Sequence, residues 1–171
     1  MKLIAIIIFF LLLVVSHGCG ANVSDDFMIT LSRKECNGKC VECRGDCPAY
    51  DLTIDANGTV VFDGKQRTKT IGKATGKISA AEIEKLVKEF EKIRYFDLLA
   101  VYKPGLCPAY LTDFATVETS IRQNGKTKSI SHYQGCYNKN PSDGPYPAGL
   151  TELENIIDQI AGTQKWVYGG G

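Results

Sequence analysis

Cysteine is the residue type that most invites chemistry in this sequence, which holds seven of them. Four fall within a stretch of twelve residues and three are dispersed: Cys36, Cys40, Cys43 and Cys47 form the cluster, and Cys19, Cys107 and Cys136 lie elsewhere. So many cysteines are unusual in a small cytosolic protein and typical of an exported domain stabilised by disulfides. We therefore predict disulfide bonds among six cysteines, in a connectivity that the sequence does not choose: Cys36, Cys40, Cys43, Cys47, Cys107 and Cys136.

A metal site or a redox site is the alternative use of the cysteine cluster. Four thiolates can hold zinc, but structural zinc sites usually pair their cysteines in separated knuckles. Cys40 and Cys43 have the two-residue spacing of redox motifs, although no strand-then-helix pattern follows them. With Cys36 they also have the spacing of radical-SAM enzymes, whose barrel needs a longer chain. We expect disulfides, and neither a metal nor another cofactor.

Histidine offers little for a hydrolase. His132 is the one histidine outside the first 18 residues, and Ser129 and Ser131 flank it. Alternation along a strand turns both serines to the opposite face, out of reach of the imidazole. Asp113 is placed to orient the imidazole across the sheet, with Tyr133 or Tyr137 nearby. We therefore predict no catalytic residue and assign Asp113, His132 and Tyr133 to a candidate surface site.

The first 18 residues have the layout of a secretory signal. Lys2 is followed by a run of 13 apolar residues, Leu3 to Val15, and then by small or polar ones. A membrane-spanning helix needs about 20 apolar residues, so this run is short for a permanent anchor. We predict a signal peptide over residues 1–18.

Cys19 stands where bacterial lipoproteins carry their acylated cysteine. It follows Gly18, although Ser16 occupies a position that is usually leucine in a lipobox. An ordinary cut near Ala21 is the alternative. Lipidation would leave six cysteines, an even number, for disulfides. We predict a lipidated Cys19 and a tether over 19–26 on an exported protein, anchored in a bacterial membrane (the outer membrane is favoured) and facing the periplasm or the cell surface.

The charge and the length of the chain reduce the number of function classes that fit it. The chain has 171 residues, with 20 Lys and Arg against 19 Asp and Glu. A chain of this length is typical of one domain. Its nearly equal numbers of basic and acidic residues argue against a positively charged surface that binds nucleic acid. We expect a lipid anchor and an envelope protein or cell-wall component as partners, and no nucleic acid.

Hairpins and two helices are the predicted elements that must position these residues. Apolar and polar residues alternate or cluster as in strands over 27–32, 50–54, 59–62, 68–77, 95–102, 116–122 and 126–133. Tight turns join two of the pairs, at Asp55 to Gly58 and at Asn124-Gly125. The pattern predicts a disulfide cross-linked α+β domain over 27–167, an antiparallel sheet built from hairpins and covered by two amphipathic helices, with a tail at 168–171.

Both helices have a start signal in the sequence. Ser79 with Glu82, and Thr151 with Glu154, have the spacing of a capping box. Gly162 suits the position just after the second helix. We expect Trp166 to fold back over the core.

The tetrapeptide Cys-Pro-Ala-Tyr occurs twice, at 47–50 and at 107–110. Each copy precedes a hairpin and a capped helix. The sequence leaves open whether this is an internal duplication or chance.

A set of short motifs, in order, resembles one known family. The motifs are Cys43-x-Gly-x-Cys-Pro-x-Tyr50, Asn57-Gly58, Thr112-Asp113, Asn124-Gly125, His132-Tyr133 and Gly162-Thr163. They are similar to a family of bacterial exported domains known only as a domain of unknown function, number 6438, over about residues 27–167. The resemblance implies an exported, often lipid-anchored module with no assigned activity, and no catalytic residues. Four cysteines look like additions to its pattern: Cys36, Cys40, Cys107 and Cys136. We therefore predict a non-enzymatic binding module, with a thiol-based redox or cysteine-metal protein as the alternative.

Overall fold

The computed structural model describes residues 23–34, 47–140, 146–147 and 149–168. The predictions on the signal peptide and on Cys19, Cys36, Cys40 and Cys43 fall outside these ranges. No helix within the described ranges is long and apolar enough to cross a membrane.

A seven-stranded sheet forms the centre of the fold. Its strands are β1 (Met28–Arg33), β2 (Ala49–Asp55), β3 (Thr59–Gln66), β4 (Gly72–Lys77), β5 (Val101–Tyr102), β7 (Thr116–Gln123) and β8 (Lys126–Tyr133). They lie in the order β4-β3-β2-β1-β7-β8-β5, antiparallel except where β5 pairs with β8. A separate two-stranded sheet joins β6 (Ala109–Tyr110) to β9 (Cys136–Tyr137).

Among the described residues, three α-helices accompany the sheet: α1 (Ala80–Lys92), α2 (Gly149–Ala161) and the short α3 (Gln164–Val167). Alternate strand residues share one core with the apolar stripes of α1 and α2, among them Ile29, Leu31, Leu52, Val117, Leu86 and Ile157. The residues between them on the strands are more exposed, so the helices cover one face of the sheet. The predicted α+β class and hairpin layout are confirmed.

The start of α1 agrees with the prediction. Ser79 is the N-cap, and its side chain accepts from the backbone N–H of Glu82 while the Glu82 carboxylate accepts from the backbone N–H of Ser79. Ile83, Leu86 and Phe90 form the buried stripe. Reciprocal capping of this kind satisfies two backbone N–H groups that a helix start leaves without partners.

The start of α2 corrects the prediction. The helix begins at Gly149, so Thr151 is already inside it and Glu154 is not a capping residue. Leu150 and Leu153 are both buried, because the apolar stripe extends one turn earlier than the proposed cap. The predicted end is confirmed: Gly162 has a φ of 66°. The N–H groups of Gly162 and Thr163 donate to the carbonyls of Gln159 and Asp158, a Schellman motif.

Two predicted strands are wrong in extent. Residues 95–102 contain a 3₁₀ helix, Tyr95–Asp97, and only the last two residues join the sheet. Arg94 turns the chain with a φ of 52°, which a continuous strand does not allow. The strand expected from residue 68 begins at Gly72, because the N–H groups of Lys69 and Thr70 donate to α3 and not to a strand.

Trp166 covers the core as predicted. It is buried, and its ring stacks on Phe62 with 5.2 Å between ring centroids. The two Cys-Pro-Ala-Tyr copies, in contrast, occupy different environments. Tyr50 is 3% exposed in the central sheet, whereas Tyr110 is 48% exposed in the small one. The fold therefore favours chance over duplication for this repeat.

Candidate functional site

One row of side chains crosses the sheet on the face that the helices cover. Tyr50 lies opposite Arg33, Arg33 opposite Val117, Val117 opposite His132, and His132 beside Tyr102. Residues opposed in register point to the same face of a sheet, so these five side chains share the helix-covered side. Two of them, Arg33 and His132, bring polar groups into a region that is otherwise apolar.

Helix α2 lays two carboxylates over this row. Glu154 and Asp158 are four residues apart, a spacing that places both on one side of a helix. Glu154 reaches His132, and Asp158 reaches Arg33 and Tyr50. We call His132, Glu154 and Tyr146 the sealed centre. We call Arg33, Tyr50, Asp158 and Thr163 the cavity centre.

The sealed centre is a hydrogen-bonded chain of three side chains. His132 Nδ1 lies 2.8 Å from Glu154 Oε1, and His132 Nε2 lies 2.7 Å from the Tyr146 hydroxyl. Both the His132 and the Glu154 side chains are 0% exposed. Burial raises the pKa of Tyr146 above its usual value. The phenol is therefore neutral, and in the imidazole tautomer protonated at Nδ1 it donates to Nε2 while Nδ1–H donates to Glu154.

The sealed centre corrects the predicted surface site. His132 is buried, because it shares the face of Val117 under α2. Asp113 is exposed, and the Tyr133 hydroxyl donates to the carbonyl of Leu111, so neither joins the imidazole. The group predicted from sequence is not brought together.

The sequence pattern pointed to a different role for Glu154, the partner of His132. The spacing between Thr151 and Glu154 predicts a capping box, in which a helix start would hold the Glu154 carboxylate. Its position, however, is four residues after Leu150 and three before Ile157, both on the buried stripe of α2. A charged residue at helical spacing within an apolar stripe predicts a buried partner. Thr151 hydrogen-bonds Tyr146 and so supports this centre as well.

The cavity centre is built around the Asp158 carboxylate. Its Oδ1 accepts from the Tyr50 hydroxyl at 2.7 Å and from Thr163 Oγ1 at 3.0 Å. Its Oδ2 accepts from Arg33 Nε at 2.7 Å. Arg33 Nη2 donates to Asn155 Oδ1 at 3.1 Å. Five side chains from β1, β2 and α2 and from the turn after α2 thus fix one another.

Electrostatics holds these groups in defined protonation states. Burial disfavours the charge on Arg33, but the charge and the hydrogen bond of Asp158, together with the other acidic groups nearby, outweigh burial and raise the pKa of the guanidinium. Burial and then the same carboxylate raise the pKa of Tyr50. Arg33 is therefore a cation paired with an anion, and Tyr50 is a neutral donor.

An open cavity of about 540 Å³ lies over the cavity centre. Arg33, Tyr50, Asp158 and Thr163 line it, together with the amide side chains of Gln134, Asn155, Gln159 and Gln164. Cavities of this size suit small ligands or a short segment of a larger partner. The helix end creates the space, because α2 stops at Ala161 and the chain turns at Gly162.

The described cysteines are in disulfides. Cys107 and Cys136 bond to each other across the small sheet, with 5.8 Å between their Cα atoms. Cys47 is also disulfide-bonded, is 4% exposed and lines the cavity. Within the described ranges, no group of three or more His, Cys, Asp or Glu side chains could hold a metal ion.

Comparison with protein families identifies the family of this chain. A family model described as a domain of unknown function (DUF6438) matches residues 41–161 of this chain. A search of the curated proteins finds no match. The matched range includes Tyr50, His132, Glu154 and Asp158, and ends before Thr163.

Proposed function

The chain belongs to the DUF6438 family, whose function is unassigned, and we propose that it is a non-enzymatic binding module anchored in a bacterial cell envelope through Cys19. The open cavity over Arg33 and Asp158 is its binding site. The single observation that carries this proposal is that an accessible cavity has a floor of side chains already locked by hydrogen bonds. A preorganised floor lowers the ordering cost of binding.

Charge at the floor favours an uncharged, hydrogen-bonding ligand. Arg33 and Asp158 neutralise each other, and Lys34 at the rim is paired with Glu118. Amide side chains on the walls offer both donors and acceptors, which suits the hydroxyl or amide groups of a cell-wall component or an exposed peptide segment. A strongly anionic ligand would need a cation without a carboxylate partner.

The sealed centre does not compete for this role. His132 and Glu154 have the residue types of a general base and its orienting acid, but both are 0% exposed. A general base must reach the proton that it abstracts. We assign the sealed centre to holding α2 on the sheet.

Site-specific photocrosslinking tests the binding site. A photoreactive amino acid replaces Gln159, an exposed residue of the cavity wall, in full-length protein produced in its host cells. The control is the same replacement at Lys73, exposed on the edge strand β4. We expect a defined adduct by mass from position 159 and none from position 73. Equal yields, or none from either, would remove the cavity as the binding site.

In the photocrosslinking experiment, Asp158→Asn distinguishes an uncharged ligand from an anionic one. The substitution keeps the shape of the side chain but leaves the charge of Arg33 without its carboxylate. An uncharged ligand loses a fixed floor, so we expect a lower adduct yield. A higher yield would show that the ligand is an anion attracted by the exposed guanidinium.

Alkylation and intact mass test the thiol and metal alternative. If the six cysteines that follow Cys19 are all in disulfides, none of them is alkylated before reduction and six are alkylated after it. Two or more free thiols, or a bound metal, would favour a redox or metal function of the cluster at 36–47. An acyl mass on Cys19 would separate lipidation from an ordinary signal cut.

A further inference from the structure

The N-terminal segment is hydrogen-bonded to one end of the sheet. We call this contact, between Ser24 and Asp26 and the β7–β8 turn, the clip. The Asp26 carboxylate accepts from the backbone N–H of Asn124 at 3.1 Å and from that of Gly125 at 2.8 Å. The Ser24 hydroxyl also accepts from Asn124, and Arg122 Nε donates to the carbonyl of Asp26. Part of the predicted tether is therefore held against the β7–β8 turn. Hydrogen bonds from Ser24 and Gly125 lower the pKa of Asp26, so it remains a carboxylate at neutral pH.

The cavity lies at the other end of the same strand. β1 begins at Met28, opposite Asp55 and Arg122 beside the two hairpin turns, and ends at Arg33 on the cavity floor. The five steps along β1 span roughly 17 Å at the usual rise of a strand. Clip and cavity are therefore separated by the length of the central sheet.

We propose that the clip at Asp26 sets the orientation of the domain on the membrane and holds the cavity at the membrane-distal end. The proposal deepens the proposed function and depends on its anchor at Cys19. Six residues lie between Cys19 and Asp26. The seven steps of chain from Cys19 to Asp26 reach at most about 25 Å when fully extended, so the clipped end stays close to the lipid. The ligand then comes from the space beyond the membrane surface, as a wall-attached or soluble molecule, and is not a lipid headgroup of the anchoring leaflet.

Fluorescence quenching in vesicles tests this orientation. Full-length lipidated protein carries a fluorescent amino acid at Lys126, beside the clipped turn, or at Gln159 on the cavity wall. Vesicles of phosphatidylethanolamine and phosphatidylglycerol contain a headgroup-linked quencher. We expect quenching at position 126 and none at position 159. Equal quenching at both positions, or stronger quenching at 159, would overturn the proposal.

A pair of variants tests the role of the clip itself. Asp26→Ala removes both carboxylate acceptors at a half-buried position outside the hydrophobic core, so the domain stays folded. We expect the contrast between positions 126 and 159 to shrink in this variant and to persist in Asp25→Ala, the matched control. An unchanged contrast in Asp26→Ala would show that the clip does not set the orientation.

The failures of the anchor, the orientation and the ligand site are distinguishable. Protein that does not float with the vesicles would disprove the anchor, and with it the orientation. Protein that floats but shows equal quenching would disprove the orientation alone. The photo-adduct from position 159 reports on the ligand site independently of either result.

Discussion

Glu154 and Asp158 lie one turn apart on α2, yet one is enclosed in the core and the other forms the floor of an open cavity. The sheet beneath them explains the difference. Over His132, the rings of Tyr102 and Tyr146 meet edge to face at 5.8 Å and close the site. Over Arg33, α2 ends and the chain turns at Gly162, which leaves space. The same residue chemistry thus serves packing where it is covered, and we propose that it serves recognition where the helix stops.

The largest effect is expected at the sealed centre. Glu154→Ala removes the partner of His132 Nδ1 at a fully buried site. Breaking a buried polar pair from one side costs about 3 kcal/mol in the free energy of unfolding. Urea denaturation measures it, with Glu152→Ala, an exposed residue of the same helix, as the control. Equal stability of the two variants would contradict a structural role for this centre.

A smaller loss of stability is expected at the cavity centre. Asp158→Ala leaves the donors of Arg33, Tyr50 and Thr163 without their acceptor, but water from the cavity can reach them. We expect a loss of about 1 to 2 kcal/mol in the same denaturation experiment. A loss as large as that of Glu154→Ala would mean that both centres serve packing alone.

Alkaline pH is expected to weaken the fold through its buried tyrosines. Burial raises the pKa of Tyr50 and of Tyr95 in the folded state, whereas an unfolded chain ionises tyrosine near pH 10. Their contribution is complete below about pH 10 and is lost above it, by about 1.4 kcal/mol per pH unit for each group. Unfolding free energies measured across this range should fall less steeply in Tyr50→Phe. An unchanged slope would contradict the raised pKa of Tyr50.

The smallest effect is expected at the end of α2. Gly162→Ala places a side chain at a φ of 66°, with no close neighbour to add a clash. The left-handed conformation alone costs about 1 kcal/mol, and Gly162→Asn, which tolerates it better, should cost less. Thermal denaturation compares the two variants. Alanine as stable as asparagine would show that the turn is not fixed in this conformation.

Local signals predicted much of the fold. Alternation and the turn at Asn124-Gly125 gave the β7–β8 hairpin, and the pair Ser79 and Glu82 gave the start of α1. These succeed because each depends on residues close in sequence. The prediction of a strand over 95–102 was wrong, because the buried residues Tyr95 and Tyr102 belong to different elements joined by an exposed turn.

The candidate site could not be predicted from the sequence, for a physical reason. Arg33, Tyr50 and Asp158 meet only after β1, β2 and α2 pack, across separations of 108 and 125 residues. No local pattern encodes such a meeting. Glu154 had a local signal, its place on an apolar stripe, but the spacing from Thr151 offered a competing explanation.

The most direct test of the account is the yield of the photo-adduct from position 159 in two backgrounds, Asp158→Asn and Glu154→Gln, at a temperature where both remain folded. If the cavity centre recognises the ligand and the sealed centre only holds α2, the adduct falls in the first background and persists in the second. An adduct that persists in Asp158→Asn and disappears in Glu154→Gln would contradict this division of roles.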